Sequence, residues 1–272
     1  MRVQLLSLLS IAMCFAACKK EGTPAPDPVS TDDELHVSAI IGEYPTVYDS
    51  TSYTYNNDMS LKAYYNYWKL STSTSPTITP LSAYYKNGKL TGVYKTDVQG
   101  TDTIFGTLFS YNSAGQMIRL TYVILAGRYD SLVYNSNGQL AERYLLHSSS
   151  PIDDVKLTFT YENNNVVKAV YDYISDMNLS YDVVHTYKYD NKKSYYKGIR
   201  PWFYSLNSYY WMSENNPVEE VITQGQIVDT ITYQYEYNNK DYPVSANVKS
   251  VHKDAGGTTI QTSTTRIYYL QK

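Results

Sequence analysis

Between residue 50 and the C-terminus the chain returns seven times to one local pattern. A strand-like run ends in tyrosine, a short polar turn follows, and a second strand-like run begins. Aligned on that tyrosine, the copies centre on Tyr55, Tyr85, Tyr111, Tyr134, Tyr161, Tyr189 and Tyr237. The clearest read Tyr111-Asn112-Ser113-Ala114-Gly115-Gln116-Met117 and Tyr134-Asn135-Ser136-Asn137-Gly138-Gln139-Leu140. Spacing is about 23 to 30 residues, apart from a longer gap before Tyr237. The side chains of Asn112 and Asn135 are expected to bond the turn backbone. Gly88, Gly115 and Gly138 are placed where positive φ is needed. Turns of this kind join adjacent antiparallel strands.

The runs between turns support the same reading. Ile231-Thr232-Tyr233-Gln234-Tyr235-Glu236-Tyr237 alternates almost strictly, with apolar and tyrosine side chains on one face and Thr, Gln and Glu on the other. No helical segment recurs between the copies, which argues against an α/β fold. Two strands per repeat are too few for a propeller blade. The expectation is an all-β fold: one large domain over 35–272, built of sequential antiparallel hairpins in an open, twisted β-meander. A sandwich or a barrel is the competing packing, because an open sheet leaves edges to protect.

The repetition stops between Lys192 and Pro217. This stretch breaks the two-residue period and holds Trp202 and Trp211, two of the three tryptophans. It reads as a short helix or irregular aromatic insertion, with Tyr204 to Met212 as a short helix or turn, that covers one face or end of the sheet. Trp202, Phe203, Tyr209, Tyr210 and Trp211 form the candidate binding surface, suited to a sugar ring or a protein partner. The plainer alternative is that they cap the apolar face, and Trp68 is read as core.

The N-terminus bears on address. Arg2 precedes a mostly apolar stretch, Val3 to Met13, of export-signal length, and Phe15-Ala16-Ala17-Cys18 resembles a bacterial lipobox. Residues 1–17 are expected to be a lipoprotein signal peptide, Cys18 the lipidated residue, and 18–34 a proline-rich flexible tether. With Cys14 removed and Cys18 lipidated, the domain has no thiol chemistry. Lys19-Lys20-Glu21 is not an acidic export run, so the periplasmic and external faces both stay open. The formal charge is −3 and charged residues are 18%. Without a basic stripe, nucleic acid is not an expected partner.

The Tyr-Asn/Asp-x-x-Gly-Gln/Lys-Leu units resemble the tyrosine–aspartate repeats of bacterial surface proteins. The lipobox and hairpins come with Tyr189-Asp190-Asn191, Asn215-Asn216-Pro217-Val218 and Tyr235-Glu236-Tyr237-Asn238-Asn239-Lys240-Asp241-Tyr242-Pro243. Together they are similar to the DUF4595-type lipoproteins of Bacteroidetes, a family of unknown function. The resemblance spans roughly residues 35 to 272 and implies stacked hairpins without catalytic residues. Asp241 and Asn165 depart from it where a turn glycine is commoner.

Little chemistry is legible. His36, His147, His185 and His252 stand in no metal-ligand spacing. Asp153-Asp154 reads as a turn and Glu219-Glu220 as a solvated strand edge, since neighbouring strand residues face opposite ways. Ser148-Ser149-Ser150 lacks a nucleophile elbow, and Gly256-Gly257 reads as a hairpin loop. No cofactor or metal is expected, and the chain is read as a non-enzyme. The expected role is an envelope-anchored structural or protein-interaction module, most simply at the outer membrane. A carbohydrate-binding lipoprotein is the alternative.

Overall fold

The computed structural model describes residues 35–44, 47–70, 77–96, 103–123, 127–147, 154–174, 182–196 and 209–270, with single residues at 72, 125 and 199. The export signal, Cys18 and the tether lie outside the described residues, as do Asp153, Ser148-Ser149-Ser150, Trp202 and Phe203. Contacts divide the chain into Met1–Ser30 and Thr31–Lys272, and every strand belongs to the second unit.

The first eight strands are β1 (Val37–Glu43), β2 (Val47–Tyr55), β3 (Leu61–Leu70), β4 (Thr77–Lys86), β5 (Lys89–Thr96), β6 (Thr103–Tyr111), β7 (Met117–Tyr122) and β8 (Arg128–Tyr134). The second eight are β9 (Leu140–His147), β10 (Val155–Glu162), β11 (Asn165–Tyr173), β12 (Val183–Tyr189), β13 (Pro217–Gln224), β14 (Ile227–Tyr237), β15 (Pro243–Asp254) and β16 (Gly257–Tyr269). Each pairs antiparallel with its neighbours in sequence order.

The sheet is closed, not the open meander expected from the sequence. β1 pairs with β16, from Val37 opposite Tyr269 to Glu43 opposite Thr264. The reason is physical. A twisted meander leaves one unpaired edge at each end, and joining the two removes both. That pairing links residues more than two hundred positions apart, and no local pattern encodes it.

The recurring tyrosine has a definite task. Its hydroxyl donates to the backbone carbonyl at the start of the preceding hairpin's return strand. Tyr55 reaches Val37 (2.7 Å), Tyr85 reaches Leu61 (2.9 Å), Tyr111 reaches Leu90 (2.6 Å) and Tyr134 reaches Met117 (2.7 Å). Tyr161 reaches Leu140 (2.9 Å), Tyr189 reaches Val166 (2.7 Å) and Tyr269 reaches Pro243 (2.7 Å). Tyr269, which lacks a following turn, is thus a further member of the repeat. Tyr237 is the exception and donates to the Asp190 carboxylate instead. These bonds stitch each hairpin to the last around one end of the barrel.

At that end the turns share a clasp. Asn112 N–H donates to Gln116 O (3.0 Å), and Asn112 Oδ1 accepts from Gln116 N–H (2.9 Å). Asn135 and Gln139 repeat both bonds, and Asn238 and Tyr242 do so too. Gly115 (φ 82°) and Gly138 (φ 76°) occupy the left-handed position of this turn. Met59 and Asp241 hold the same position at φ 64° without being glycine. Asn87-Gly88 and Asn163-Asn164 make tighter two-residue turns with both φ values positive.

Candidate functional site

The Lys192–Pro217 region is an expanded turn. Asp190 stands where Asn112 stands in an ordinary copy, and Asn216 stands for Gln116. Asp190 N–H donates to Asn216 O (3.1 Å), and Asp190 Oδ1 accepts from Asn216 N–H (3.1 Å) and Lys192 N–H (2.9 Å). Asp190 Oδ2 accepts from Asn216 Nδ2 (3.3 Å) and from the Tyr237 hydroxyl. Asn215 and Asn165 tie the exit of the segment to β11 (2.9 Å and 3.0 Å), and Ser213 Oγ donates to the Tyr189 hydroxyl (2.9 Å).

The described part of this segment packs inside the barrel instead of covering a face of an open sheet. Tyr210–Met212 forms a 3₁₀ turn. Tyr209 and Trp211 are buried, and Tyr209 packs on the inward rings of Phe159 and Tyr171 (5.1 and 5.5 Å). Tyr195, Tyr196 and Ile199 are buried in the same core. Of the described aromatics in the candidate binding surface, Tyr210 borders the larger space, and Trp211 lines only a smaller pocket beside Tyr134 and Tyr161. Trp68 is 40% exposed, at the end of β3.

That larger space is a cavity of about 720 Å³ between the insertion and the wall formed by β1, β2 and β14 to β16. The insertion supplies Tyr195, Tyr196 and Tyr210, while the wall supplies Tyr44, Asp49, Tyr53, Ile231, Tyr233, Ser250, Gln261 and Thr265. The strand residues converge because pairing places them on one face: Ile231 lies opposite Ser250, and Ser250 opposite Gln261. Tyr195 donates to Tyr196 through a hydroxyl pair at 2.7 Å, and Tyr210 sits against Tyr196 (5.5 Å) and Tyr233 (6.5 Å). Burial, and then neighbouring phenols, pushes the hydroxyls of Tyr53, Tyr195, Tyr196 and Tyr233 well above their ordinary value, so all four stay neutral. Burial also raises Asp49, partly offset by a hydrogen bond from Asn66. Asp49 Oδ1 is buried and makes no hydrogen bond among the described residues.

Two further polar pairs are largely buried. Arg143 and Asp130 are almost fully buried and bond at 2.5 and 2.8 Å, with Tyr122 donating to the same carboxylate oxygen (2.8 Å). Glu220 is not on a solvated edge: it is buried and meets His185 at 2.8 Å. His252 meets Asp229 (2.6 Å) at an exposed position. Asp154 accepts from His147 N–H (2.7 Å), and Gly256-Gly257 turns β15 into β16. No group of three or more metal-ligating side chains occurs among the described residues.

The outward face is mixed, with exposed Leu108, Val133 and Ile260 among charged and polar side chains. Glu142 pairs with Lys156 and Glu219 with Lys188, both at 2.7 Å, and Glu43 pairs with Arg266. Lys168, Asp172, Gln234, Glu236, Asn247 and Lys249 are exposed there as well.

No protein-family model and no curated protein matches the sequence. Among solved structures, a porin-like protein from Bacteroides uniformis aligns over 86% of this chain and 98% of its own, at 15% identity and a TM-score of 0.61. A porin-like protein from Bacteroides vulgatus aligns over 88% and 100%, at 12% identity and a TM-score of 0.42. The chain is therefore a β-barrel related in fold to the first of these. At such identity the likeness is one of fold.

Proposed function

We propose that this protein is an envelope-anchored lipoprotein whose barrel is a water-exposed binding or protein-interaction module, not a channel. The DUF4595-type resemblance and the lipobox at Cys18 belong to this reading, with the outer membrane as the anchoring site. One observation supports it most: charged side chains stand on the outer wall and apolar ones fill much of the interior, unlike a lipid-embedded barrel. Such barrels are apolar outside and polar within, and each Lys or Arg at the lipid midplane costs about 2–4 kcal/mol. Here Lys168, Glu219, Lys188 and Lys249 face outward, while Leu120, Leu132, Leu157, Tyr209 and Trp211 fill the interior. The aromatic insertion occupies space that a porin of similar strand number leaves to water.

Fractionation of a Gram-negative host expressing the full chain tests the reading. Wild type should sediment with membranes and partition into detergent, and Cys18→Ser should appear in the soluble envelope fraction. A Cys18→Ser protein that stays in the membrane through alkaline carbonate would overturn it.

A further inference from the structure

We propose that the tyrosine-lined cavity binds an organic cation: an ammonium group, protonated or quaternary, on a small organic body. This takes the barrel to be the water-exposed binding module described above. Asp49 is the sole charged side chain among the described lining residues. Its Oδ1 is buried without a hydrogen bond among those residues. A carboxylate oxygen withdrawn from water and left unused is costly, and a cation is its strongest complement. The aromatic surround fits the same charge. Tyr53, Tyr195, Tyr196, Tyr210 and Tyr233 border the cavity, and a ring face attracts a cation within about 6 Å of its centroid.

Competing ligand chemistries fit less well. An anion meets Asp49 with no counter-charge among the described lining residues. A plain hydrocarbon leaves Asp49, Ser250 and Gln261 dehydrated and unpaired. A bare inorganic ion has neither the size for about 720 Å³ nor use for the ring faces, whereas cavities of this order hold drug-sized molecules. The hydroxyls of Ser250, Ser263 and Thr265, along the β15–β16 wall, suit a ligand body with hydrogen-bonding groups of its own.

The test is calorimetric titration of the full-length lipoprotein, solubilised in a non-ionic detergent, with tetramethylammonium, cadaverine, maltose and glutarate. Saturable binding of the two cations, and of neither other probe, is expected. Asp49→Asn should weaken it at least tenfold. Tyr233→Leu should weaken it severalfold while Tyr233→Phe, which keeps the ring, retains it. Thermal melts establish that each variant is folded. No saturable binding of either cation, or cation binding undiminished in Asp49→Asn, overturns the proposal. Maltose binding that persists in Asp49→Asn also overturns it and assigns the cavity to neutral sugars. Failure of the anchoring reading appears in the fractionation alone and leaves these titrations unchanged.

Discussion

The turn at 112–116 and the segment at 190–216 do the same mechanical job at very different lengths. In the first, Asn112 and Gln116 close the hairpin across three residues. In the second, Asp190 and Asn216 make the same backbone and side-chain bonds across twenty-five, the intervening residues 191–215. Tyr111 and Tyr189 each donate to a carbonyl of the preceding hairpin. The difference lies in the clasp residue. Asp190 has two carboxylate oxygens to fill and gathers Lys192, Asn216 and Tyr237 where Asn112 needs only Gln116. A repeat can therefore hold a long insertion without breaking the barrel, provided the two residues that close it are kept.

The largest effect should come from removing that clasp. Asp190→Ala leaves donors from Lys192, Asn216 and Tyr237 without this acceptor and should cost about 3 kcal/mol, against about 1 kcal/mol for Asn112→Ala. Urea unfolding of the two variants compares them, and equal losses would break the equivalence. Gly115→Val and Gly138→Val come next. A β-branched residue at φ 82° or 76° is strained, and each should lose about 2 kcal/mol by the same measurement. Tyr111→Phe should cost about 1 kcal/mol and Tyr189→Phe nearer 2, because Ser213 also bonds the Tyr189 hydroxyl. Met59→Gly should stabilise by about 0.5–1 kcal/mol, since Met59 holds φ 64° where glycine does so without strain.

The subtlest test concerns the cavity that the expanded turn helps to enclose. Burial raises Asp49 above its unfolded value. Below that unfolded value both states are protonated and the residue is neutral in stability. As pH rises through the folded value, the barrel comes to hold a buried carboxylate that the unfolded chain keeps in water. Asp49→Asn should thus melt above wild type at pH 7, and the gap should close near pH 3. A gap that is the same at both pH values would mean that Asp49 is not desolvated in the fold.

Much of this was written locally. Alternation in Ile231 to Tyr237, the Asn and Gly turns, and the break in repetition at Lys192 all follow from neighbouring residues, so they were legible without coordinates. The cavity was not. Asp49, Tyr53 and Tyr233 sit in ordinary strand runs and Tyr44 just after β1, and none carries a motif. The insertion's aromatic cluster drew attention instead, yet Tyr209 and Trp211 are core and Tyr210 alone of that described set faces the space. Glu220 looked solvated because its partner, His185, lies on another strand.

By itself the sequence determined the strands, their turns and their order, because a two-residue period and an Asn-Gly turn act over a few residues. It also marked Lys192 and Pro217 as the ends of an interruption. Only the tertiary structure decided that β1 meets β16, that the interruption folds inward, and that Asp49 shares a cavity with six tyrosines drawn from separate parts of the chain. Those outcomes depend on satisfying two sheet edges at once and on filling the space the closed wall creates. Both conditions exist only after the last strand is in place.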